Sequence, residues 1–294
     1  MPDLLLRAGA VVTVDSQHHV YQPGFVRVDG GRITEVGPGW RASADDGETT
    51  LDLPDRVVMP GLVNAHTHSP MVLFRGLAEG YSLLVLDGWL KAIRSWEAVL
   101  QPDMIPPAVA VSCAEMIRTG TTTFADQYFH MDRVLPVVAA SGLRAALAYG
   151  IVELGDAEAR KRALAETEAF LERATAQPRI RGWVGPHAFF VDNTPDAIQA
   201  ELELARRHNT GLHIHLATSG EEDEFCQARF GVSAVTQMAR LGVLDQRLLA
   251  AHCLTVPEDD FPSLAAAPFS AVLCASACMR SGAVPPPAVA MLDA

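Results

Sequence analysis

Residues 58–76 read VMPGLVNAHTHSPMVLFRG, an apolar run closed by two histidines one residue apart, His66 and His68. The run predicts a strand. Side chains at i and i+2 of a strand share a face, so both imidazoles project from its C-terminal end toward one point. Two converging neutral nitrogen donors suit zinc or iron better than magnesium. An isolated H-x-H also fits two hydrogen-bonded histidines in a loop, so the surrounding pattern has to decide.

Outward from that stretch, short apolar or β-branched runs alternate with helical periodicity. The runs are VVMPGLVNA (57–65), TTTFAD (121–126), LRAALAYG (143–150), IRGWVGP (180–186), GLHIHLA (211–217), LLAAHC (248–253) and FSAVLCA (269–275). Between them lie segments such as TPDAIQAELELARRHN (194–209), where Thr194 is placed to cap a helix that starts at Pro195. Strands alternating with helices imply a parallel sheet. Closed as a (β/α)8 TIM-type barrel, such a sheet gathers its ligands at the C-terminal strand ends. Seven strands are legible and the eighth that a closed barrel needs is not, so the expectation is an α/β barrel apparently lacking its eighth strand.

His187, His215 and His252 fall at the ends of the fourth, fifth and sixth runs, the end where His66 and His68 lie. Five such placements favour the metal reading. His213 shares a face with His215 but lies deeper, and reads as a packed core histidine. His18, His19 and His208 sit in polar surroundings. The pair Cys274 and Cys278 lacks a second ligand pair, and the odd set of five cysteines reads as reduced thiols rather than a disulfide framework.

The first 55 residues differ from the rest. Residues 4–14, 25–29 and 32–36 predict short strands, the last two joined by a tight hairpin at Gly30 and Gly31. The expected organisation is therefore a small N-terminal β-sandwich layer over residues 1–55, followed by the barrel domain over residues 56–294.

Composition narrows the partners. With 49% hydrophobic and 20% charged residues the chain can bury a sizeable core, and a net charge of −12 without basic runs excludes a nucleic-acid footprint. No apolar run approaches the roughly 20 residues that span a bilayer. The opening MPDLLLRAGAVVTVD carries Asp3 and Arg7 and lacks a basic leader, so no signal peptide is expected and the location reads as cytoplasmic. The partner expected is a small molecule.

In the order VDGGRITEVGP, VMPGLVNAHTHSPMVLFRGLAEG, RTGTTTFADQYFH, VGPHAFF, HIHLA and AAHC, the chain resembles the amidohydrolase superfamily. The likeness is to its branch of heterocycle deaminases and chlorohydrolases, nearest the 5'-methylthioadenosine/S-adenosylhomocysteine deaminases. It implies a (β/α)8 barrel of the metal-dependent hydrolase kind, one divalent metal ion (zinc or iron), and a heterocyclic substrate. It assigns His66, His68 and His215 as metal ligands and His252 as the residue steering water and substrate. Glu97 in SWEAVL, Arg144 in GLRAAL and His187 become substrate contacts.

The family's acid-base Glu three positions after the fifth-strand histidine is Thr218 here, and its strand-eight Asp would fall roughly ten residues past Ala294. Ser219 followed by Glu222 matches a capping box, whereas Glu221 and Glu222 are also alternatives for the missing carboxylate. Three readings compete: a hydrolytic deaminase of an adenine-like nucleoside or other nitrogen heterocycle, as an incomplete chain or with altered proton transfer; a hydrolytic dechlorinase; or a truncated, non-catalytic paralogue that binds a ligand or a partner chain. The first is the expectation. Uncovered edges on the first and seventh strands lead us to expect a homo-oligomer.

Overall fold

A computed structural model describes residues 3–42, 47–83 and 85–294. The chain divides into two compact units, Met1–Leu62 and Val63–Ala294. Each is built on its own sheet.

The first sheet has five strands: β1 (Leu4–Val12), β2 (Val20–Tyr21), β3 (Gly24–Asp29), β4 (Arg32–Pro38) and β5 (Thr49–Val58). Its order is β2-β1-β3-β4, with β5 pairing β1 in parallel and the other pairs antiparallel. Gly30 and Gly31, at φ 55° and 79°, form the two-residue turn that only residues free of a Cβ adopt readily, so β3 and β4 join as expected. Ala8 and Val11 of β1 are buried in one cluster with Val26, although they stand three residues apart, because the strand is irregular between Ala8 and Ala10. At Gly9 the β1–β5 register shifts, and a Cβ there would lie 2.0 Å from the Pro54 carbonyl oxygen, so the close approach of these strands requires glycine.

One expectation needs correction. The run VVMPGLVNA is two strands: β5 stops at Val58, Met59-Pro60-Gly61 break the pairing, and β6 begins at Leu62. Proline lacks the N–H a ladder needs, which apolarity alone does not reveal.

The second sheet has seven strands in sequence order: β6 (Leu62–Thr67), β7 (Thr121–Tyr128), β8 (Arg144–Ile151), β9 (Ile180–Pro186), β10 (Leu212–Leu216), β11 (Leu248–His252) and β12 (Phe269–Val272). From β7 to β12 every pairing is parallel. All five residues of β10 are buried, as expected of a sheet covered on both faces. The sheet curls into a nearly closed α/β barrel, so that His66 on β6 meets His213 on β10 with 2.8 Å between ring nitrogens.

The helix Pro195–Arg207 shows the local logic of the connections. Thr194 caps it by accepting from the Ala197 amide, Pro195 takes the first turn, and Ala197, Ile198, Glu201, Leu202 and Ala205 form its buried stripe. Glu201 is the anomaly in that stripe. It is fully buried, and neither carboxyl oxygen has a hydrogen-bond partner among the described residues. Burial therefore raises its pKa well above the ordinary carboxylate range.

Candidate metal centre

The C-terminal ends of β6, β9, β10 and β11 bring five imidazoles together. Ring centroids lie 4.8 Å apart for His66 and His68, 5.0 Å for His66 and His215, 5.1 Å for His68 and His215, 5.4 Å for His66 and His252, and 4.8 Å for His187 and His215. One donor atom each from His66, His215 and His252 fall within 4.8 Å of one another.

Hydrogen bonding sets the tautomers. His68 Nδ1 lies 2.6 Å from the Gln127 carbonyl oxygen, and His215 Nδ1 lies 2.9 Å from that of His187. A carbonyl only accepts, so both Nδ1 atoms carry protons and both Nε2 atoms present lone pairs. Burial holds the rings neutral, with His68 and His252 pushed down to about 4 and His66 and His215 well below the usual histidine value. The two Nε2 atoms nevertheless face each other at 3.2 Å. Two lone pairs at that distance repel unless a cation lies between them. Two ligands of a tetrahedral zinc ion, at about 2.0–2.1 Å from the metal, stand about 3.3 Å apart. The donor set fits such an ion.

Neighbours hold these rings in place. His213 is not merely packed, because its Nε2 is bonded to His66 Nδ1. Gln127, 1% exposed, accepts from His68 through its carbonyl and donates from Nε2 to the His213 carbonyl oxygen at 2.5 Å. Asp126, fully buried, accepts from the Ser69 amide at 2.8 Å and from the Ser69 hydroxyl, fixing the residue after His68. Ala217, His252 and Cys253 adopt φ of 51°, 79° and 49°, costly for residues with a Cβ. The amides of Cys253, Leu254 and Thr255 hold that geometry by donating to the carbonyls of Leu216 and Ala217.

A second group lies next to His187. Its Nδ1 is 2.8 Å from Asp192 Oδ2, which also receives an Arg94 nitrogen, and Arg94 Nη1 donates to Glu97 Oε2 at 3.0 Å. The Trp89 ring lies 5.7 Å from that of His187 and 4.9 Å from the Arg94 guanidinium. The structure thus brings Glu97 and His187 together through Arg94 and Asp192, two residues that the sequence reading passed over. Their signals were present: Arg94 precedes Glu97 by one helical turn and Asp192 follows His187 by five residues.

Arg144 is the exception. It opens β8 opposite Thr123, exposed, while the histidines lie at the other ends of the strands. Eight residues of strand at about 3.3 Å each separate its level from theirs, which corrects its expected place at the substrate.

Thr218 follows β10, and Ser219 precedes the helix Gly220–Phe230. The expected capping box is not formed. Ser219 makes no side-chain cap, and Glu222 Oε2 accepts instead from Thr218, from its amide at 2.9 Å and its hydroxyl at 3.2 Å. Glu221 Oε2 accepts from the Leu86 amide at 2.6 Å.

The fold and the site together are those of an α/β barrel that gathers histidines at its C-terminal strand ends. Residues 57–293 match the amidohydrolase family, and the chain belongs to it. It is 38% identical over 268 residues to a 5'-deoxyadenosine deaminase of Methanosarcina mazei, covering 90% of this chain and 60% of that one. It is 35% identical over 301 residues to a 5-methylthioadenosine/S-adenosylhomocysteine deaminase of Pelotomaculum thermopropionicum, covering 100% of this chain and 67% of that one. The chain thus spans about 60% of the length of the Methanosarcina relative. Among solved structures it is similar to a zinc-bound adenosine deaminase from Xanthomonas campestris, with TM-score 0.89 and 29% identity over 99% of this chain and 67% of that one. Among the described residues no helix is long and apolar enough to cross a membrane.

Proposed function

We propose that this chain carries the site of a metal-dependent hydrolase that deaminates an adenine-type nucleoside, with one zinc or iron ion held by His66, His68 and His215 and with His252 beside it. The observation that carries the reading is the 3.2 Å approach of the two unprotonated Nε2 atoms of His68 and His215. The similarity to adenosine-type deaminases supplies the substrate class. Iron would be held by the same nitrogens. Five free thiols suit the cytoplasm, where thiols stay reduced.

Held there, such an ion would make a water molecule nucleophilic near neutral pH. The chain's own residues supply the rest. His252, neutral at working pH, accepts a hydrogen bond from the attacking water and orients it toward the ring carbon that carries the amino group. His187, with Nδ1 tied to Asp192, presents Nε2 to the heterocycle. Glu97, with one oxygen engaged by Arg94, has the other for sugar hydroxyls, and Trp89 offers a ring for stacking. Ammonia leaves when its nitrogen receives a proton.

Metal analysis and an ammonia assay test this. We expect about one equivalent of zinc or iron after dialysis and ammonia release from 5'-deoxyadenosine, 5'-methylthioadenosine or adenosine. Metal content unchanged by His66→Ala with His68→Ala overturns the metal assignment. A metal-loaded chain that releases no ammonia overturns the deaminase assignment and favours ligand binding without turnover.

A further inference from the structure

The turn after β10 is tied to a buried carboxyl whose role capping does not explain. Glu222 is 1% exposed, its Oε2 accepts both the amide and the hydroxyl of Thr218, and its Oε1 has no partner among the described residues. A capping carboxylate needs only an amide and normally keeps its second oxygen in water. Burying an ionisable group beyond that need is costly. The other acids that open this helix are committed elsewhere, Glu221 to the Leu86 amide and Asp223 Oδ1 to the Ala234 amide at 3.0 Å. Burial also pushes the Glu222 carboxyl up to about 7, so it exchanges protons in the range where a general base works best. Thr218 alone cannot hold a proton at that pH.

We infer that Thr218 and Glu222 form a two-residue proton relay serving the histidine cluster, with Thr218 touching the attacking water and Glu222 storing the proton behind it. The inference rests on the deaminase reading above. In the forward step a water O–H bond breaks and a bond to Thr218 Oγ1 forms, while the original Thr218 Oγ1–H bond breaks and Glu222 Oε2 gains the proton. The threonine stays neutral and the carboxylate becomes a carboxylic acid. The 3.2 Å hydrogen bond between Thr218 Oγ1 and Glu222 Oε2 then reverses its direction. The return step delivers the proton through the same hydroxyl to the departing nitrogen, so no charge accumulates over the cycle. Glu222 acts through Thr218 and is a positioning residue in that sense.

Cobalt(II) in place of zinc gives a readout that does not depend on turnover. The visible band of the cobalt-loaded chain should change with pH, and its midpoint should move in Glu222→Gln and in Thr218→Val while Thr218→Ser stays close to wild type. Infrared difference spectra should show a protonated-carboxyl band that titrates near pH 7, vanishes in Glu222→Gln and titrates higher in Thr218→Val, which has lost a hydrogen bond to the ionised form. Glutamine keeps an acceptor for the Thr218 amide, and position 218 is only half-buried, so both variants should fold. Identical cobalt titrations in wild type, Glu222→Gln and Thr218→Val overturn the relay, whether or not the chain releases ammonia. Shifted titrations without ammonia release support the relay and overturn the deaminase reading. A chain that takes up no cobalt overturns both.

Discussion

Asp126→Asn should separate the cost of burying a charge from the value of the bonds that charge makes. Asp126 is fully buried against Ser69, the residue after His68, where burial pushes its carboxyl from 3.8 up to about 7 despite the two bonds from Ser69. Because the folded pKa is raised, the folded chain keeps a proton that the unfolded chain releases. Its contribution is fully present below about pH 4 and is lost as the pH rises toward 7. At about 1.4 kcal/mol per pH unit that interval amounts to about 4 kcal/mol. Asparagine cannot ionise and retains an acceptor for the Ser69 amide. The stability of the variant relative to wild type should therefore improve by about 4 kcal/mol between about pH 4 and pH 7.5. Asp126→Ala removes the same titration but strands the Ser69 amide and hydroxyl, at about 1–3 kcal/mol each, so it should lie several kcal/mol below asparagine at every pH. Urea unfolding at a series of pH values measures both differences. An asparagine-minus-wild-type difference that does not change with pH refutes the argument. Zinc titrations on the same proteins should show affinity near wild type for asparagine and about 10- to 100-fold weaker for alanine, because Ser69 fixes the chain beside His68.

Glu201→Leu should stabilise the chain by about 1–3 kcal/mol in urea melts, since it replaces a buried carboxyl lacking partners with an apolar side chain of similar volume; a loss of stability would show that Glu201 has a partner after all. Arg94→Ala leaves Asp192 buried without its cation and should cost about 3 kcal/mol, whereas Arg144→Ala at the exposed start of β8 should cost less than about 0.5. Equal costs would contradict their placement. Zinc at about a thousand times its dissociation constant should raise stability by about 4 kcal/mol, a gain that a chelator removes and that His68→Ala lacks. An equal thermal shift in His68→Ala would show that the ion binds elsewhere.

The sequence by itself determined the periodic features. Short apolar or β-branched runs mark buried strands and a 3.6-residue period marks helices, so seven strands, the Gly30–Gly31 hairpin and the Thr194 cap could be read locally. Strand-end position also marked His66, His68, His187, His215 and His252, because in a parallel sheet all C-terminal ends share one side. What only the tertiary structure decided were relations between distant segments. The Nε2–Nε2 approach joins residues 147 positions apart, and the Arg94–Asp192 contact joins residues 98 apart. Arg144 carries the right chemistry at the wrong end of its strand, and motif matching supplies no axial position. Ser219 and Glu222 have the spacing of a capping box, yet burial and the left-handed turn at Ala217 direct the carboxyl to Thr218 instead. Local spacing limits which residues can meet within a turn or a strand, whereas the packing of the whole barrel decides which polar groups are removed from water and so must find each other.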